Sequence, residues 1–196
     1  MMKRDDCLKI LAARLPEDQI VVAAYTTAFD WIAIRPNPLN YISSGAMGLT
    51  APHALGFAIG MPDRRIILLD GDGSLLMNLG SLVTIAEAAP GNLIHCVCEN
   101  GTYEANGGHP IPGQGTVDFA GMARAAGYAH CHSFSELDDF EAGLGSVLQE
   151  EGPVFVDLKF EPGETYPTDY GLMHGAQIRR DFAAALKASQ GRPADR

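Results

Sequence analysis

The chain has 196 residues, 46% of them hydrophobic and 19% charged, which fits one globular domain with a substantial core and excludes a disordered chain. Its formal net charge of -10 argues against a nucleic-acid partner, because phosphate backbones are held by an excess of Lys and Arg. No apolar run approaches the ~20 residues needed to cross a bilayer, and four cysteines without C-x-x-C spacing read as reduced core thiols, so a soluble, cytoplasmic protein with no membrane partner is expected.

The opening "MMKRDDCLKILAARL" is too charged for a signal peptide and reads as an amphipathic helix. "QIVVAAY" (19–25) reads as a strand and "LNYISS" (39–44) as a short one. The small-residue-rich stretch 48–61 reads as a helix. "RIILLD" (65–70) is a fully buried strand, followed at once by one helix from Ser74 to about Ala89. "NLIHCVCE" (92–99) is another strand, with Cys96 and Cys98 alternating about Val97 and so facing one side. A Gly-rich loop leads to a helix over 117–127, with Asp118 near its start. A strand at 128–134, a helix at 135–150 with a capping signal at Ser135, and a last strand at 153–160 follow. From about Gly175 the pattern is a final amphipathic helix, with a frayed end over 188–196.

Strands and helices alternating at this spacing imply parallel βαβ units, and so a single three-layer α/β/α domain over 1–196 with a mostly parallel sheet. Ligands of such sheets sit beyond the carboxyl ends of the strands. Two segments fall there, 70–74 and 99–116.

The first, Asp70-Gly71-Asp72-Gly73-Ser74, places a carboxylate where a strand meets a helix N-terminus. A helix N-terminus attracts anions, so a bare carboxylate there competes with any phosphate, and a cation held by Asp72 removes the conflict. The second leaves its strand through Glu99-Asn100-Gly101-Thr102, and consecutive parallel strands would bring Asn100 to the same sheet edge as Asp72. A carboxylate, an amide oxygen and a turn carbonyl are hard donors of the kind Mg2+ takes, with phosphate oxygens and water completing the octahedron. Gly71 and Gly73 let the backbone approach and turn.

Gly71-Asp72-Gly73-Ser74 and then, one helix and one strand later, Asn100-Gly101-Thr102-Tyr103 resembles the diphosphate-binding motif of thiamine-diphosphate (ThDP) enzymes. The resemblance spans the chain as a diphosphate-binding (PP) domain alone. "SGAMGLTAPHALGFAIG", "GDGSLLMNLGSLVTIA" and "VDFAGMARAAGY" look most like the β subunits of sulfopyruvate decarboxylase and the matching domain of phosphonopyruvate decarboxylase. It implies Mg2+ on Asp72, the Asn100 side chain and the Thr102 carbonyl, with Ser74 on the diphosphate and Gly71, Gly73 and Tyr103 around it. In Ser44–Gly48 it implies that the Gly45 carbonyl takes the cofactor's aminopyrimidine amino group, that Ala46 lies beside it, and that Met47 wedges between the cofactor's rings. The cofactor itself supplies the chemistry, as the electron sink for decarboxylation of a small 2-oxo acid.

The catalytic Glu of this family comes from a Pyr domain, which the resemblance does not cover; a separate α subunit is therefore implied, in an α2β2 or larger hetero-oligomer. Two departures stand out: Glu99 replaces the usual Asn or Asp, and the loop reads "EANGGHP". His109 in that loop is the candidate for touching substrate or moving a proton. His53 is read as core or as approaching the cofactor; His95, His130 and His132 as packed or edge residues; Glu87 and Glu104 as solvated. Three alternatives remain at this point: a subunit of another ThDP carboligase or lyase, a non-catalytic ThDP-binding scaffold, and an ordinary nucleotide-binding module. The last lacks a G-x-G-x-x-G after the first strand.

Overall fold

The computed structural model describes residues 1–163 and 166–189. Six parallel strands form one sheet: β1 (Ile20–Ala23), β2 (Asn40–Tyr41), β3 (Ile66–Gly71), β4 (Leu93–Glu99), β7 (His130–Phe134) and β8 (Val154–Lys159), in the order β2-β1-β3-β4-β8-β7. The intervening β5 (Thr102–Tyr103) and β6 (His109–Pro110) form a separate antiparallel hairpin inside the Gly-rich loop.

The central strands are buried on both faces, which is why β1 and β3 read as continuous apolar runs rather than alternating ones. Alternate residues go to opposite layers. Ile67, Leu69, Ile94, Cys96 and Cys98 join one core with α1 (Arg4–Arg14), α2 (Tyr25–Ile34) and α7 (Leu137–Val147). Ile66, Leu68, Leu93 and Val97 join the other, with α3 (Thr50–Gly60), α5 (Gly80–Ala88), α6 (Phe119–Ala126) and α9 (Ala176–Ser189). The three layers and the parallel sheet are as the alternation implied. Cys96 and Cys98 share one face, and Cys7, Cys96, Cys98 and Cys131 are free thiols.

Several elements differ from the expectation. β1 ends at Ala23 and is followed by α2, a helix the pattern did not announce because its apolar residues run on from the strand. β2 shrinks to two residues. The single helix expected over 74–89 is two, α4 (Asp72–Leu76) and α5, and the turn between them has a cause. Asn78 donates its side-chain amide to the Gly48 carbonyl at 2.8 Å, and Gly48 sits hard against Met77 and Asn78. Ser135 does not cap α7: Glu136 holds the N-cap position without a side-chain bond, whereas Asp118 does cap α6, accepting from the Gly121 N–H at 2.7 Å. A short helix α8 (Tyr170–His174) precedes α9, and the frayed end expected over 188–196 lies, from Gln190 on, outside the described residues.

The strand order sets where a ligand belongs. From β1 the chain moves outward to β2, while β3 and β4 proceed the other way, so a crevice opens between the carboxyl ends of β1 and β3. Leu68, fully buried at the middle of β3 between β1 and β4, anchors the floor of that crevice. Leu68→Ala is expected to destabilise the fold by about 2–5 kcal/mol through lost burial plus the cavity left behind; urea unfolding followed by emission from Trp31, the chain's one tryptophan, checks it.

Candidate functional site

One cleft at this crevice is lined from three strand ends: Ala24–Thr27 after β1, Gly71–Ser74 at the end of β3, and Cys98, Asn100 and Thr102–Ala105 at and beyond the end of β4, with Met47 also lining it. Of the residues singled out in the sequence, Met47, Gly71, Asp72, Gly73, Ser74, Asn100, Thr102 and Tyr103 therefore meet in one place. Gly45, Ala46 and His109 do not line it.

Asp72 is its centre. The residue is 2% exposed and sits on the first turn of α4. Its Oδ2 accepts the backbone N–H groups of Asn100 (3.0 Å) and Gly101 (2.7 Å), and its Oδ1 accepts that of Gly73 (2.7 Å). The carboxylate thereby ties the end of β3 to the loop that leaves β4. Burial pushes its pKa up to about 6, against the pull of those three N–H donors, and the nearby Glu99 adds a smaller push the same way. No ion pair among the described residues involves it.

The Asn100 carboxamide oxygen accepts from Thr102, both backbone N–H (2.8 Å) and hydroxyl (3.1 Å), which curls the loop back on itself where Asn100 and Thr102 line the cleft. Gly73 is required here because a Cβ would collide with the Tyr103 ring lying on it. The Ser74 hydroxyl accepts the Gly48 N–H at 3.0 Å, and this bond joins the Ser44–Gly48 segment to the helix N-terminus. Gly45 itself is exposed, with φ +85°, and its carbonyl accepts from the Tyr25 hydroxyl at 3.4 Å.

The donor set suits a hard cation bound with an anion. It offers one carboxylate with no counter-ion, an amide oxygen and backbone carbonyls. Among the described residues no three His, Cys, Asp or Glu side chains gather as a metal cluster, so a cation here depends on neutral oxygens and on ligand oxygens.

Other residues stand elsewhere. His109 is exposed on the hairpin, opposite Tyr103 in the register. His53 packs beside Tyr41, with its ring nitrogen 2.7 Å from the Leu49 carbonyl oxygen. His95 is fully buried, 3.0 Å from the Tyr128 hydroxyl, while His130 and His132 lie on edge strand β7. Glu99 points away from the cleft to Lys159, at 2.7 Å. Glu87 is solvated as expected, but Glu104 is not: it accepts from Arg4 at 2.7 Å and lines the cleft, because the 3-10 turn over Glu104–Asn106 folds it inward.

Sequence reading missed Ala24–Thr27. Tyr25 has φ +39°, a conformation uncommon outside glycine, and it opens α2 with no side chain capping the first N–H groups. The signal was present in "AYTTAF", a strand end followed by two threonines and a fresh apolar period.

The Asp72 carboxyl holds its proton in the folded chain to higher pH than in the unfolded one, so its ionisation costs stability as pH rises. The stability difference between wild type and Asp72→Asn is expected to fall by about 2 kcal/mol between pH 4 and pH 6.5, read from urea midpoints across that range.

Comparison with known proteins gives this cleft a context. A family model described as "Thiamine pyrophosphate enzyme, C-terminal TPP binding domain" matches residues 22–158. The chain is 35% identical over 178 residues to a phosphonopyruvate decarboxylase of Streptomyces viridochromogenes, covering 90% of this chain and 44% of that protein. It is 31% identical over 163 residues to the sulfopyruvate decarboxylase subunit beta of Methanothermobacter thermautotrophicus, covering 83% of this chain and 84% of that one. The chain thus spans less than half of the phosphonopyruvate decarboxylases it matches, but most of the β subunit. A solved thiamine diphosphate-dependent 4-hydroxybenzoylformate decarboxylase of Rhodococcus jostii RHA1 superposes with TM-score 0.67 at 22% identity, over 83% of this chain and 33% of that one; at that identity the likeness shows the fold. With a matched model over most of its length and relatives above 30% identity, the chain belongs to the thiamine pyrophosphate enzyme family, as its C-terminal TPP binding domain.

Proposed function

We propose that this chain is the ThDP-binding β subunit of a two-subunit 2-oxo acid decarboxylase, acting on sulfopyruvate or phosphonopyruvate to give CO2 and the aldehyde. The observation that carries it is the uncompensated, buried Asp72 carboxylate, lined up with Asn100 and Thr102 at the strand switch point. Both relatives named above are decarboxylases of such acids by name, and the β subunit matches over 83% of this chain and 84% of its own length.

In this reading Asp72, the Asn100 side chain and the Thr102 carbonyl hold Mg2+. The cation neutralises both the carboxylate and a diphosphate seated against Ser74 and the N-termini of α4 and α2. Thr26 and Thr27 line the far side of the cleft. The bonds from Gly48 to Ser74 and from Asn78 to Gly48 hold the Ser44–Gly48 segment at a fixed height, and so set where Met47 and the Gly45 carbonyl meet the rest of the cofactor. When bound, ThDP supplies the electron sink for decarboxylation.

Gly45, Ala46 and Leu49 are exposed, as they should be where a second chain is to cover them. A Pyr-domain α subunit docked there supplies the catalytic Glu, in an α2β2 or larger assembly. His109, exposed on the hairpin opposite Tyr103, serves in this reading as the substrate-contacting group of this chain. A doubly anionic substrate needs cationic partners that this cleft does not line, so the α subunit provides them. The second reading, another ThDP lyase or carboligase, is favoured by the "EANGGHP" loop, which departs from the decarboxylase pattern.

Asp72→Ala is expected to abolish Mg2+-dependent ThDP binding, measured calorimetrically on the chain with its partner. Unchanged ThDP affinity would sink the metal assignment. Native mass spectrometry of the chain drawn from its own host in Mg2+ buffer should show a second small chain plus ThDP.

A further inference from the structure

Arg4 opens α1, far in sequence from every residue of the cleft, yet it is only 8% exposed. Its guanidinium reaches two carboxylates on different elements. Nε lies 2.6 Å from Asp30 Oδ2 on α2, and Nη1 donates to Glu104 Oε2 at 2.7 Å. Glu104 begins the 3-10 turn that directly follows Asn100–Tyr103 and itself lines the cleft.

The α1 and α2 sides of this bridge are fixed independently of it. Met2 makes a parallel bridge to Phe160, donating its N–H to the Lys159 carbonyl and accepting from the Glu161 N–H, each at 3.0 Å, so the start of α1 is pinned to the end of β8. The other Asp30 oxygen accepts the Tyr166 N–H at 3.1 Å, and the Tyr166 hydroxyl donates to Asp5 of α1 at 2.7 Å. This differs in kind from exposed pairs such as Lys9–Asp5, which contribute little.

One buried carboxylate, Asp30, and one half-buried one, Glu104, share this single guanidinium. Burial pushes the Asp30 carboxyl up even with Arg4 against it, while the paired carboxylates hold Arg4 firmly charged. Without Arg4, Asp30 and Glu104 would face each other unpaired, and the turn is the part free to move. A planar fork serves two carboxylates at once; a lysine ammonium does so less well.

We propose that Arg4 is a positioning residue for the cofactor loop: through Glu104 it sets the height of the 100–111 segment over α4, and thereby links α1 and α2 to cation and diphosphate binding. This rests on the ThDP reading of the cleft for its consequence, though not for the tether itself.

The loop carries its own reporters. The Gly107, Gly108 and Ile111 N–H groups bond to the Glu104, Tyr103 and Gly101 carbonyls, respectively. Hydrogen exchange of the full chain without ligand is read at these amides in wild type, Arg4→Met, Arg4→Lys and Glu104→Ala, with Trp31 emission as the check on folding. Both Arg4→Met and Glu104→Ala are expected to exchange about tenfold faster there, with β3 and β4 amides still protected. Arg4→Lys should fall between them and wild type. Mg2+ with ThDP, titrated into the same proteins together with the partner subunit, should bind about tenfold more weakly in Arg4→Met and Glu104→Ala.

Unchanged exchange at those amides in a folded variant overturns the tether, as does an equal rise across β3 and β4, which marks general stability instead. If Arg4→Met does not fold, Glu104→Ala decides alone. A wild-type chain that binds no ThDP even with its partner overturns the functional reading, and the exchange data still judge the tether separately.

Discussion

The Asp72 carboxylate, buried where β3 turns into α4, is the constraint on which the rest of the site depends. Its three backbone hydrogen bonds stitch the end of β3 to the loop leaving β4, so two neighbouring parallel strands deliver their loops as one unit. Burying a carboxylate is costly, and the fold places this one where the cleft opens at the strand ends. Everything nearby is arranged about that group: Gly73 makes room for Tyr103, Asn100 curls back on Thr102, and Ser74 holds the backbone of Gly48.

Around this core the site is assembled by contacts between short loops rather than by long elements. Asn78 breaks what would be one helix into α4 and α5, and in exchange holds Gly48 and the segment before it. Arg4 and Asp30 reach the other side of the cleft through Glu104. The sheet supplies a rigid floor, while the walls come from three separate layers of sequence. Such a division suits a domain whose chemistry belongs to a cofactor, because the protein's task is to place it.

The charged residues behind β4 show how far local reading carries. Glu99, next to Asn100, invites an interpretation as a further charge at the metal, yet it turns to Lys159 on β8. Glu104 invites the opposite mistake. In sequence it is a lone acid in a polar loop; in space it is the partner of an arginine a hundred residues away. Neither outcome has a local signature, since both are decided by which strand lies beside β4 and by where the N-terminal helix is pinned.

What the sequence by itself determined is the periodic and the local. Continuous apolar runs mark strands buried on both faces, their alternation with helices requires a parallel three-layer sheet, and an acid between two glycines at a strand end marks the ligand edge. The pairing of Asp72 with Asn100 was legible for the same reason, because consecutive parallel strands leave few other arrangements. Only the tertiary structure decided that α2 begins at a strained Tyr25 beside the cleft, that the 74–89 helix breaks at Asn78, that Ser135 caps nothing, and that His109 stands on an exposed hairpin. These depend on contacts between segments distant along the chain, and a side chain with no periodic or capping role carries no trace of such a partner until the fold brings it near.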